Sequence, residues 1–168
     1  MQSGVHFAAV ESPFRNRVFC FAANGAGVFW SEFCTDPARE RDRLSEEFGK
    51  IGTSGRLLRS IVAQVERYFA KRLACFDVPL VLEGSEFECR VWEAVARLRF
   101  GDLVSYGEVA QAVGKPLGHR GVARAMGKAP LALFVPAHRV IGADRKIKGD
   151  RSGQRRMLLR FEGNILKG

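Results

Sequence analysis

Short apolar runs broken by turn signals open the chain, and apolar residues at helical spacing follow them. Residues 5–10, 17–22 and 27–33 are rich in Val, Phe and Ala, with Ser12-Pro13 and Asn24-Gly25 between them. This predicts a small antiparallel meander, the Asn-Gly pair being a hairpin signal because both residues accept a positive φ. Residues 36–47 begin with Asp36-Pro37 and alternate in charge, as an exposed helix or helical loop does. Across residues 54–73, Leu57, Leu58, Ile61, Val62, Val65, Tyr68 and Phe69 recur at helical spacing and predict a longer helix. His6 reads as a strand residue, since no second His or Cys lies around it at metal-ligand spacing.

The texture changes after an extended connector, residues 76–83, which contains Pro79. A domain boundary is expected there, with residues 1–80 structural and residues 81–168 carrying the function. Ser85-Glu86-Phe87-Glu88 is a capping box, in which hydroxyl and carboxylate satisfy free backbone amides, and the helix it starts turns Phe87, Val91, Val95 and Leu98 to one face. Cys89 on this helix reads as a half-buried structural thiol. Ser105-Tyr106-Gly107-Glu108 repeats the box and opens a helix carrying Val109, Ala110 and Val113, which Gly114-Lys115-Pro116 stops. A third short helix covers residues 119–128, so that two helices flank a Gly/Pro turn in the outline of a helix-turn-helix. An apolar, strand-like run then leads into Val135-Pro136-Ala137-His138-Arg139-Val140-Ile141.

Charge divides the chain at the same place. The net charge is +9; residues 1–84 hold 11 Lys/Arg against 10 Asp/Glu, and residues 85–168 hold 16 against 8. The second half is therefore the part that meets a polyanion, most often nucleic acid. On the helix over 119–128, Arg120, Arg124 and Lys128 fall on one face and Val122 and Met126 on another, while Gly121, Ala123, Ala125 and Gly127 fill the rest. Three cations spaced this way suit phosphates flanking a groove that a small-residue surface enters. No run approaches the length of a membrane span, and Met1-Gln2-Ser3-Gly4 does not start a leader, so an intracellular protein with no membrane partner is expected, cytoplasmic or, in a eukaryote, nuclear. Cys20, Cys34, Cys75 and Cys89 lie far apart in sequence, with no Cys-x-x-Cys, which predicts reduced, buried thiols and neither a disulfide framework nor a metal site.

Several blocks in order resemble the O6-alkylguanine-DNA alkyltransferase family: Phe87…Val91-Trp92; Val104 to Ala110; Arg120 to Met126; Pro136-Ala137-His138-Arg139-Val140-Ile141; and Gly149 with Leu158-Leu159…Glu162-Gly163. The order holds over the second half, and the first half is similar more loosely, through Ser12-Pro13 and a meander followed by helices. The resemblance implies an α/β (α+β) fold: an N-terminal ribonuclease-H-like α/β roll and a C-terminal helical, winged-helix-like domain with a helix-turn-helix. It also implies a chemistry, in which a cysteine thiolate takes the alkyl group by direct displacement, a histidine removes the thiol proton through a water, and a glutamate orients the histidine. By position, Ala137 stands where that cysteine is expected, with His138 as the base and Glu162 as its partner. Ala137 is unable to accept an alkyl group, and no other cysteine lies at a motif position.

The resemblance further implies binding to double-stranded DNA containing O6-alkylguanine in the minor groove, with Arg120 filling the gap left by a flipped nucleotide and Tyr106 contacting that nucleotide. The carbonyls of Ala137 and Val140 are the implied readers of guanine, with Ser105, Gly121, Arg124, Lys128, Ile147, Asp150 and Arg151 as further contacts. No cofactor and no metal are implied, the zinc ligands of some members having no counterpart. Two more departures accompany Ala137: Ala129-Pro130, where an asparagine usually precedes the proline, and Asp150-Arg151, where a bulky residue often follows the glycine. Three readings follow: a lesion-binding protein of alkyltransferase-like type, able to mark the site for another repair protein; a Cys-to-Ala inactivated form of a genuine methyltransferase; and a helix-turn-helix regulator of transcription. The grouping of departures around one pocket favours the first.

Overall fold

The computed structural model describes residues 4–147, 150 and 152–164. The fold is mixed α/β, and the chain divides into two compact units, residues 1–81 and 82–168.

In the first unit β1 (His6–Glu11), β2 (Val18–Asn24) and β3 (Gly27–Cys34) form an antiparallel meander in the order β1-β2-β3. Asn24 pairs with Gly27, which closes the hairpin over Gly25-Ala26, and β2 is its most deeply buried strand, with Phe19, Cys20, Phe21 and Ala22 inaccessible to solvent. Residues 36–47 resolve as a helix, α1 (Pro37–Phe48): the Asp36 carboxylate accepts from the Arg39 amide at 3.2 Å, and Pro37 takes the first turn, where no amide partner is needed. The second helix, α2 (Arg56–Phe69), is shorter than the periodicity predicts. Lys71 takes a left-handed φ of 59°, and the Arg72 amide donates back to the Arg67 carbonyl at 2.8 Å, a wrap that ends the helix although Leu73 continues the apolar pattern. Leu58, Ile61, Val65 and Tyr68 face the core, whereas Leu57, expected on that face, is exposed.

The connector clips onto β3, the Val28 amide donating to Pro79 and the Val81 amide to Val28. Gly27 makes this possible: its φ is 137°, and a Cβ there would lie 2.3 Å from the Pro79 carbonyl oxygen. Gly27→Ala is expected to destabilise this unit by about 1–3 kcal/mol, measurable as a lowered denaturant midpoint.

In the second unit both predicted capping boxes are present. Ser85 and Glu88 start α3 (Glu86–Ala96), and Ser105 and Glu108 start α4 (Tyr106–Ala112). Gly114, at φ 77°, ends α4 with the Lys115 amide returning to Ala110, and α5 (His119–Gly127) follows as the second helix of the helix-turn-helix. Val91, Trp92 and Val95 form the buried stripe of α3, with the Trp92 indole donating to the Ala125 carbonyl at 2.9 Å; Leu98 lies beyond the helix end and is half-buried. Ala125 therefore faces the core and not, as expected from its size, a groove-entering surface.

The run before Pro136 is not a strand. Leu131 and Leu133 take positive φ, 57° and 73°, and the Val135 amide donates to Leu131, so the segment is a series of buried turns. A short apolar run is compatible with any buried conformation, and among the described residues no strand pairs with it. A single 3-10 turn (Ala137–Arg139) leads to β5 (Val140–Ile141), which pairs in parallel with β4 (Val104–Ser105), and α6 (Gln154–Phe161) follows.

Candidate active site

Three features of the second unit converge. The parallel pairing sets Val104 beside Val140 and Ser105 beside Ile141, so Tyr106 begins α4 next to the end of the Pro136–Ile141 motif. The 3-10 turn presents Ala137, half-buried, and then His138 and Arg139, which are only 2% and 3% exposed. Finally, α6 buries Leu158 and Leu159 and delivers Glu162 at its C-terminal end.

His138 Nε2 lies 2.6 Å from Glu162 Oε2. Arg139 donates to the same carboxylate from Nε, 2.8 Å to Oε1, and from Nη2, 2.9 Å to Oε2, while its Nη1 donates to the Leu98 carbonyl. The Gly101 amide adds a bond of 2.9 Å to Oε1. Burial alone pushes the Glu162 carboxyl up, but hydrogen bonds from His138 and Arg139 outweigh it and hold the group well below the usual carboxylate range. Burial pushes His138 down from 6.5, and the Arg139 and Arg155 cations act the same way against the opposing Glu162 bond. Glu162 is therefore ionised and His138 neutral at neutral pH. The imidazole gives its Nε2 proton to the carboxylate bond, which leaves the Nδ1 lone pair as a base.

This electrostatic state has a pH signature. A folded pKa below the unfolded one means that the unfolded chain binds protons more readily, so both groups weaken the fold on acidification. Stability of this unit is expected to fall as pH drops below about 6.5, through His138, and again below the ordinary carboxylate range, through Glu162. Urea unfolding at stepped pH checks this; His138→Gln should abolish the first loss and keep the second.

Other expected site residues fall into distinct settings. Tyr106 is buried, which raises its pKa, with Arg155 and Asp144 exerting smaller, opposite effects. Arg120 and Arg124 are exposed on α5, and Lys128 caps its end with Nζ 3.8 Å from Glu88 Oε2. The Ser105 hydroxyl is occupied in its capping box, accepting from the Glu108 amide at 3.1 Å. Gly121 packs on Phe87, whose ring a Cβ would approach to 3.1 Å, so its smallness serves the α3–α5 contact. The Asp150 carboxylate accepts from the Arg155 and Arg156 amides at 2.9 and 3.2 Å, an anion on the first turn of α6. Val140 is buried, and its amide donates to the Ala137 carbonyl, taking one of that oxygen's two lone pairs. Ile147 is half-buried after the turn at Gly142–Lys146; Gly149 and Arg151 lie outside the described residues.

Two site residues escaped the sequence reading. Arg139 was only a motif letter, yet it is the bidentate partner of Glu162. Arg155 donates from Nη2 to the Met126 carbonyl at 2.7 Å and places its charge where it acts on both His138 and Tyr106. A run of Arg155-Arg156 on a helix gives no sign of which cation turns inward.

The second unit thus joins a helix-turn-helix with exposed cations to a buried His–Glu–Arg network, the arrangement of a DNA-binding unit with a polar pair beside position 137. Residues 86–164 match the family described as 6-O-methylguanine DNA methyltransferase, DNA binding domain. The methylated-DNA–protein-cysteine methyltransferase of Methanosarcina acetivorans is 44% identical over 103 residues, 60% of this chain and 66% of the relative. That of Methanosarcina barkeri is 38% identical over 114 residues, 67% of this chain and 72% of the relative. The crystal structure of Mycobacterium tuberculosis OGT in complex with DNA superposes with a TM-score of 0.72 at 32% identity, covering 94% of this chain and 92% of that one. The chain belongs to the O6-methylguanine DNA methyltransferase family.

Proposed function

We propose that this chain is the scaffold of a genuine methylated-DNA–protein-cysteine methyltransferase in which Ala137 occupies the acceptor position, so that it binds DNA containing O6-alkylguanine and releases it unchanged. The observation that carries the reading is the His138–Glu162–Arg139 network, intact and held in the protonation state that a thiol at position 137 would need. A methyl side chain offers no lone pair for the displacement. The resident base therefore has no proton to remove, and what the unit retains is recognition.

Recognition rests on α5 and on the segment from Ala137 to Ile147 beside Tyr106. The exposed Arg120 and Arg124 suit phosphates and the gap left by a flipped base, whereas Lys128 shares its charge with Glu88. Arg120→Ala is expected to weaken binding to a lesion-containing duplex more than Lys128→Ala, and to reduce the preference over unmodified duplex, which Lys128→Ala leaves alone. Fluorescence-anisotropy titrations at several salt concentrations check this. Equal losses with equal changes in salt slope would make Arg120 one more phosphate contact, and equal affinity for modified and unmodified duplex would favour a transcription regulator.

A second reading is an alkyltransferase-like protein that marks the lesion for another repair protein, in which Ala137 is the native residue. It predicts the same binding but a different response to restoring the thiol.

A further inference from the structure

Cys20 and Cys34 are 14 positions apart, on β2 and β3, and the fold brings their sulfurs to 2.8 Å. All four cysteines are free thiols, as expected, but only Cys20 is fully buried. The separation is well inside ordinary non-bonded contact between two sulfurs and above the bond length of about 2.05 Å. Both thiols are free, and both side chains sit on the face of the sheet that packs with Phe7, Ala22 and Leu44. Their solvent settings differ: Cys20 is fully buried, and Cys34 is half-buried and lines a cleft of about 440 Å³ with Arg15, Arg17, Arg39, Glu32 and Asp36. Cys34 thus borders a cleft that a small polar reagent can enter, while Cys20 exposes no surface of its own.

We propose that Cys20 and Cys34 form a redox-modifiable dithiol, in which Cys34 is the site of attack by a peroxide-class oxidant and Cys20 is the resolving thiol. The Cys34 sulfur attacks one peroxide oxygen, the O–O bond breaks, and Cys34 becomes a sulfenic acid as one water leaves. The Cys20 sulfur then attacks the Cys34 sulfur, the S–O bond breaks, and the second water carries away the Cys20 proton. Two thiols are oxidised by two electrons in all, and the peroxide is reduced to two waters. Burial raises both thiol pKa values, with Glu40 adding to each, so the first step is slow compared with a dedicated peroxide sensor.

The test treats the full chain with excess hydrogen peroxide, blocks remaining thiols, and maps peptides without reduction. The expected product is a Cys20–Cys34 linked peptide lighter by two hydrogens, with Cys75 and Cys89 recovered as blocked thiols. Cys20→Ala should instead stop at a dimedone-reactive sulfenic acid on Cys34, and Cys34→Ala should leave Cys20 reduced. Oxidation that lands first on Cys75 or Cys89, or recovery of Cys20 and Cys34 as free thiols in the wild-type chain, overturns the proposal. The wild-type map decides this even if a variant misfolds.

Discussion

Ala137→Cys should take up one methyl group per chain from O6-methylguanine in duplex DNA, where the chain as written takes up none. A thiol of ordinary pKa, about 8.5, is only a few per cent thiolate at neutral pH and needs a base. His138, neutral, bonded to Glu162 and adjacent to position 137, is proposed to act as that base. The sulfur displaces guanine O6 from the methyl carbon, the S–C bond forms as the C–O bond breaks, and the thiol proton ends on the departing guanine by way of the imidazole. Adding His138→Gln to Ala137→Cys should slow uptake by roughly 10²–10⁴-fold, the usual contribution of a positioned base. Intact mass reads both results. A well-folded Ala137→Cys that binds the lesion and gains no mass would move the assignment to the lesion-marking reading.

Loss of the Glu162 carboxylate should be the most destabilising single change in the second unit, by about 3–5 kcal/mol for Glu162→Ala. The cost comes less from the lost attraction than from what remains: a buried Arg139 guanidinium with no counter-charge, and the His138 and Gly101 donors with no acceptor. Glu162→Gln keeps an acceptor oxygen and should recover part of the hydrogen bonding but not the charge balance. Urea unfolding followed by Trp92 fluorescence measures the effect. A loss under about 1 kcal/mol for Glu162→Ala would mean that the network is solvated in solution.

Much of this architecture was legible in the sequence where local chemistry decides it. Both Ser-x-x-Glu boxes start helices, Asp36-Pro37 starts another, and Asn24-Gly25 lies at the hairpin, because each of these signals acts within a few residues. Reading failed where the deciding partner is remote. The apolar run at 131–135 looked like a strand, but its hydrogen bonding depends on neighbours that sequence does not reveal. Ala125 looked like part of an approach surface for DNA, but it is buried and its carbonyl accepts from Trp92, and the sequence gives no sign that Phe87 packs against Gly121. The pairing of His138 with Glu162 came from a resemblance, not from spacing. Arg139 was missed because a buried arginine and an exposed one read alike in sequence, although Arg139 sits within the same motif.

One incubation separates recognition from transfer. The chain as written is incubated with an equimolar duplex bearing a single O6-methylguanine; bound fraction, protein mass and the base recovered from the DNA are read from the same sample. Recognition without transfer predicts preferential binding over unmodified duplex, unchanged protein mass and intact O6-methylguanine. A protein heavier by one methyl group, with guanine restored in the DNA, would contradict it.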